Sequence, residues 1–504
     1  MPEHGARPPI VAGVALVAAA LALTVWRAPQ YLIAPSFWAE DGTLYFAGAW
    51  NGGALHGLVQ RPAGYLILWA NVGTTLAAWL VSTGAMSMTA APRVTAVVAL
   101  VAQLVPIALV AAAASPIWGG AIRRTVAVAI VLIGARTGGM WLNAVNSQYY
   151  LALAAIVVLL EPEDVGVARR RLYTAVVALA TLSGPVASFV APLFVLKGWW
   201  TRGRFALVLG IVAVLGTFVQ LGVIAFAGVE ALGVRSQGLS GPVFALLVWM
   251  RTVVLPVLGP AAALAFVNRF GPASSGLLLS AWLLGTLALL VAVLALGAPR
   301  EARWLAPAYA FVTIGSFVGA VGDLRPLLRG VEGGARYAFV PAVLLLWLLL
   351  ANVRRDHRVQ SVVCTALLAV GVATNGTTWR ESVRWRATWP AWEAEVEAWT
   401  RDPRTPLRIW PKGWTMRLVG PPPQAASTRR PVRTSNRCPC HGHVTMPAAS
   451  TAASSSGPPR CGQVVENAQR APSSATSRRC AGSRPSTYAW RRTIIASSSS
   501  QRRV

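Results

Sequence analysis

The sequence predicts an all-α polytopic membrane protein of about 11 transmembrane helices, with juxtamembrane helices on the outer face. Three observations carry this. Of 504 residues, 55% are apolar and only 12% charged. Runs of Ala, Val and Leu without acid or base recur in series, each near the ~20 residues that a helix needs to cross a bilayer core. Basic residues stand between the runs in short clusters, "ARRR" at 168–171, "KGWWTRGR" at 197–204 and "NVRRDHR" at 352–358, the pattern that marks short cytoplasmic loops.

Placing those clusters inside orders the elements. Helix one, about 9–26, leads outward. Its basic flank is thin (His4, Arg7) and no small-x-small cleavage site follows in "WRAPQYLIAP", so it is a retained helix rather than a secretion signal. Residues 27–90 form a large outer loop, with 63–84 lying along the interface. Helix two (92–114) returns to "IRR" at 122–124, helix three (125–142) goes out, and helix four (148–160) comes back. Helices five (172–184) and six (186–200) turn through Gly184-Pro185, a helix-breaking pair, and helix seven spans 205–226. The stretch 227–272 is apolar enough to cross, but Pro256 and Gly259-Pro260 break it and Arg251 lies within. A full crossing would also put the later basic loops on the wrong side, so it is expected to be surface-lying or re-entrant on the outer face. Helices eight (274–296), nine (304–321), ten (338–352) and eleven (360–374) complete a transmembrane body of residues 1–374.

Residues 375–420 form a short outer segment whose many Trp suit the headgroup layer; "LRIWPKGWTMRL" (407–418) is expected to be a short strand and turn closing a small cap. Residues 421–504 are Ser, Ala, Pro and Arg, with thirteen Arg, no Lys and the single acid Glu466. Such a stretch buries no core; it is a disordered basic low-complexity tail or out-of-frame translation of a GC-rich gene. It supplies +12 of the formal +28, so the charge does not point to nucleic acid. "CPCHGH" (438–443) matches none of the usual zinc spacings. Cys364 is the one cysteine of the body, which therefore has no disulfide framework.

The chemistry-bearing residues begin with Glu40-Asp41-Gly42 in "PSFWAEDGTLYFAGAW" (35–50), on the outer side after helix one. Such a pair can act as general base, hold a divalent cation or bind substrate hydroxyls, and equally can serve solubility. Adjacent acids repel, so one should titrate high unless compensated. Gly42 is expected to turn the backbone tightly and expose both acids. Arg336, after Gly333-Gly334 and beside Tyr337, offers a fork of donors suited to phosphate; an interfacial Arg reaching toward headgroups explains it too. Arg61 and Arg136 are rivals, and a charge inside a span, as at Arg136, normally faces a polar cavity. Asn143, Asn146, Ser147 and Gln148 suit sugar hydroxyls or, equally, cap the junction of helices three and four. His56 shares the acidic loop, as an assistant or merely solvated.

"SFWAEDGTLYFAGAWNGG" (36–53), followed by "RPAGYLILW" (61–69), resembles the first outer loop of bacterial GT-C-type glycosyltransferases, polytopic enzymes that take a sugar from a polyprenyl-phosphate carrier. "LNAVNSQYYLAL" (142–153) and "GGARYAFVPAVLLLW" (333–347) agree, and the likeness covers roughly residues 9–418. It implies a GT-C-like fold with Asp41 as catalytic base and Glu40 as partner or alternative. It also implies a donor phosphate at Arg336, Tyr337, Arg136 and Arg61, and sugar or acceptor contacts from Asn143, Asn146, Gln148, Tyr65 and His56. No metal is required, although Mg or Mn is admissible. The implied partners are a polyprenyl-phosphate-linked sugar, the lipid bilayer and an envelope glycan, lipid or protein acceptor, with no nucleic acid. The implied place is the plasma (inner) membrane, multi-pass, with the active site facing outside. The cap is short where many relatives carry a large outer domain, which leaves acceptor recognition unassigned. The competing reading is a lipid or carbohydrate flippase or transporter, which should show paired halves, broken helices and charges near mid-membrane; a non-catalytic scaffold would need no acids there.

Overall fold

The computed structural model describes residues 10–134, 138–226, 237–271, 276–320, 324–328, 334–354, 356–377, 379 and 391–420, all within one compact unit, Met1–Ala426. The tail expected at 421–504, with "CPCHGH", lies outside the described residues.

The chain opens with α1 (Ile10–Arg27). Next come a π-helix at Asp41–Phe46, α2 (Ala47–Val59) and α3 (Leu68–Ser82). The body continues with α4 (Ala91–Ala112), α5 (Ala121–Ile133), α6 (Ser147–Leu159), α7 (Val167–Leu182), α8 (Ala191–Thr201) and α9 (Arg204–Phe226). Further on lie α10 (Gly241–Val248), α11 (Leu255–Phe270), α12 (Leu277–Gly297), α13 (Leu305–Val318), α14 (Ala335–Ala351) and α15 (Arg358–Thr377). Outside the body are α16 (Trp392–Arg401) and a hairpin of β1 (Leu407–Ile409) and β2 (Trp414–Met416), paired Leu407 to Met416 and Ile409 to Trp414.

Six helical runs among the described residues are long and apolar enough to cross a membrane: Ile10–Arg27, Met88–Ala112, Arg204–Phe226, Gly241–Phe270, Leu277–Gly297 and Arg358–Thr377. The other expected crossings are shorter. The 125–142 run, for example, is helical only as far as Ile133, and Gly138–Met140 is a separate 3-10 turn. Two of the shorter helices form the centre: every residue of α6 is buried, as is α14 from Tyr337 onward. A helix apolar all round must be covered by protein neighbours or by lipid, and here neighbours supply the cover.

The 30-residue run Gly241–Phe270 is not one straight rod. Gly259 takes φ 84° and ψ −178°, a conformation that breaks the helix and is open to glycine. The Trp249 and Phe266 rings stack with centroids 6.4 Å apart, whereas 17 residues of continuous helix would separate them by about 25 Å. The run is a helical hairpin, broken at the Gly259-Pro260 pair that the sequence marked.

The basic loops gather at one end of the body. The Glu161 carboxylate accepts from the Ala114 and Ser115 amides at 3.0 and 3.1 Å and from the Tyr173 hydroxyl at 2.9 Å. Lys197 donates to the Leu159 and Glu161 carbonyls at 2.8 and 2.6 Å, and Arg123 to the Val353 carbonyl. The acidic π-helix, the start of α14 and the β-hairpin belong to the other end.

Candidate active site

The π-helix Asp41–Phe46 has two faces set by i, i+4 spacing. Gly42 and Phe46 turn outward into an apolar core of Phe37, Trp392, Trp399, Leu407, Ile409 and Met416. Phe37 meets Phe46 at 4.4 Å and Trp392 edge-on at 5.4 Å. Asp41 and Tyr45 turn inward, where Tyr45 packs with Ile67, Ala70, Ala144 and Val145. The expected role of Gly42 needs correction: its backbone is helical, and what demands glycine is close packing. A Cβ there would stand 2.7 Å from Ile409 Cδ1 and 2.9 Å from Phe37 Cβ.

The two acids have opposite fates. Asp41 is 1% exposed, and its oxygens accept the Ala144 and Val145 amides at 2.7 and 2.8 Å. Burial pushes its carboxyl up to about 7, opposed by the two amide bonds and reinforced by the charge of Glu40. Asp41 thus fastens the π-helix that follows α1 to the turn before α6, 103 residues away. Glu40 keeps a 23% exposed side chain and pairs with Arg336, 35% exposed, at 3.5 Å. That contact joins positions 296 residues apart.

Several phenols are in electrostatic reach of this pair. The Arg336 guanidinium carbon lies 5.3 Å from the Tyr337 ring centroid. Tyr45 is in electrostatic reach of Tyr65, Glu40, Asp41 and Arg336, and Tyr149 of Tyr337, Tyr65, Arg336 and Glu40. Tyr65 and Tyr337 were expected here. Tyr45 and Tyr149 were not.

Other expected residues fare differently. Asn143 donates to the Gly139 carbonyl at 2.9 Å and accepts the Asn146 amide at 3.1 Å. Asn146 also donates to Gly139, at 3.2 Å, and Gln148 to the Val145 carbonyl at 3.3 Å. These are local bonds of the turn before α6; all three residues are buried, and Asn146 Oδ1 and Gln148 Oε1 have no hydrogen-bond partner among the described residues. His56 lies beyond the point where α2 breaks at Gly53 and is exposed. Arg61 is exposed as well. Arg136 lies outside the described residues. Among the described residues, no three His, Cys, Asp or Glu side chains gather as metal ligands. With Asp41 facing two amides and Glu40 facing a guanidinium, the donor set does not suit Mg or Mn.

The outer core is closed from the C-terminal side. Trp410 donates its amide to the Phe37 carbonyl at 3.1 Å, and the Ala39 amide donates back to the Trp410 carbonyl. Comparison with protein-family models, curated proteins and solved structures finds no match for this chain.

Proposed function

We propose that the protein is a membrane glycosyltransferase of GT-C type, with about 11 crossings and its reactive end on the outer face of the plasma membrane. It moves a sugar from a polyprenyl-phosphate carrier to an envelope acceptor. The observation that carries the reading is the Glu40–Arg336 pair, an accessible acid and an accessible fork of donors 3.5 Å apart, with the Tyr337 ring beside the guanidinium. In this reading Arg336 holds the carrier phosphate, which a fixed guanidinium suits in geometry and charge. Glu40, the acid with access, takes the proton from the acceptor hydroxyl. The acceptor oxygen bonds to the anomeric carbon, and the bond from that carbon to the phosphate oxygen breaks with its electron pair leaving on the carrier phosphate. Asp41, the first choice from the sequence, holds the loop that presents Glu40.

The test incubates membranes bearing wild type, Glu40→Gln or Arg336→Ala with a labelled polyprenyl-phosphate sugar. Transfer by wild type and a loss of at least about a hundredfold in both variants is the expected result; equal transfer by all three removes the pair from the reaction. The Gly241–Phe270 hairpin, with Arg251 buried inside it, favours the flippase or transporter as second reading. That reading wins if labelled carrier changes leaflet while no sugar leaves it.

A further inference from the structure

We infer that Tyr45 is a ligand-binding residue whose hydroxyl meets a hydroxyl oxygen of the sugar or of the acceptor beside Glu40 and Arg336. The inference rests on the transferase reading above and adds to it the group that recognises a polyol.

Tyr45 is 1% exposed, and its hydroxyl has no hydrogen-bond partner among the described residues. A buried phenol normally finds one. Its backbone is well held, since the Tyr45 carbonyl accepts from Gln60 Nε2 at 2.7 Å, and its ring is packed on Ile67, Ala70, Ala144 and Val145. The unmet group is therefore fixed rather than adrift. Its polar neighbours are Tyr65, Glu40, Asp41 and Arg336, the residues of the candidate site. Burial pushes the phenol well above its ordinary range, so it stays protonated and remains a donor at neutral pH.

The chemistry of the set narrows the ligand. A carboxylate only accepts and a guanidinium only donates, whereas a neutral phenol does both. A phosphate alone would be served by Arg336; a group that both donates and accepts matches a hydroxyl, which does the same.

The experiment uses full-length protein in lipid nanodiscs, a radiolabelled polyprenyl-phosphate hexose and envelope membranes as acceptor. Tyr45→Phe removes one oxygen and keeps the ring. Transfer kcat/KM should fall about tenfold or more, with the melting temperature and the retention of bare polyprenyl phosphate unchanged. Tyr150→Phe alters another buried phenol whose hydroxyl is likewise without a partner among the described residues but which lies near Arg27 and Gln103 instead of Glu40 and Arg336, and should stay within about twofold of wild type. The inference is overturned if wild type transfers and Tyr45→Phe transfers equally, or if both phenol variants fall alike. Weaker retention of bare polyprenyl phosphate by Tyr45→Phe would move the contact to the phosphate and overturn the hydroxyl assignment. A wild type that transfers nothing removes the transferase reading and this inference together, whereas an unimpaired Tyr45→Phe in an active protein removes the inference alone.

Discussion

Glu40 and Asp41 are neighbours in the chain and opposites in environment, and the difference is measurable. Asp41 has a folded pKa of about 7 against an ordinary 3.8, so between these values the native state holds a proton that the unfolded chain has lost. Its contribution is therefore full below about pH 4, is lost as pH rises toward 7, and is gone above that, by roughly 4 kcal/mol at the limit. Melting of the detergent-solubilised protein should fall across that window, and Asp41→Asn should flatten that part of the dependence; parallel curves would show that Asp41 does not titrate there. Gly42→Ala should destabilise by about 1–3 kcal/mol, read as a lower melting temperature, because Ile409 and Phe37 occupy the space of the new methyl. At this scale the sequence was legible in part. The acids and Arg336 stood out because charge is rare in so apolar a chain. That one acid would be spent on the amides of Ala144 and Val145, or that Tyr45 would point inward, depends on contacts between distant segments, which no local pattern encodes.

Among the elements, one buried acid ties together the segment that follows α15. Glu395, 5% exposed, accepts from the Arg408 amide at 2.9 Å and from its guanidinium at 2.8 Å, tying α16 to β1. Glu395→Ala removes both bonds and, with the exposed Arg408 guanidinium free to meet water, should cost about 1 kcal/mol. We expect the variant to be cut faster by trypsin after Arg401 or Arg404, with the body intact on a gel; unchanged cleavage would show that the apolar core alone retains the cap. Element existence was widely readable. The runs that became α1, α4, α9, α12 and α15 have the length and apolarity that a bilayer selects, and Gly259-Pro260 announced the break in the hairpin. A boundary failed where glycine interrupts an apolar run, as after Ile133, whereas the fully buried α6 lies within one residue of the expected 148–160.

For the molecule as a whole, the separation of a basic end from the end bearing Glu40 and Arg336 makes topology the broad test. In a background with all cysteines replaced, His56→Cys on the exposed part of α2 should react with an impermeant maleimide on intact cells. Arg171→Cys, among the basic loops, should react only after lysis. The reverse pattern would place the acidic end inside and exclude an exoplasmic reaction. This polarity was readable because Arg and Lys cluster between apolar runs; the pairing of the ends of the chain was not. That pairing has a consequence for biosynthesis. The strand partner of Phe37–Ala39 is Trp410, so the first outer loop emerges from the ribosome long before the segment that closes it. At about 5–20 residues per second, the wait is roughly 20 seconds to more than a minute. During that interval the nascent loop is half a structure with its aromatic side uncovered, a natural handle for a chaperone and a natural point of rejection for any prematurely terminated product.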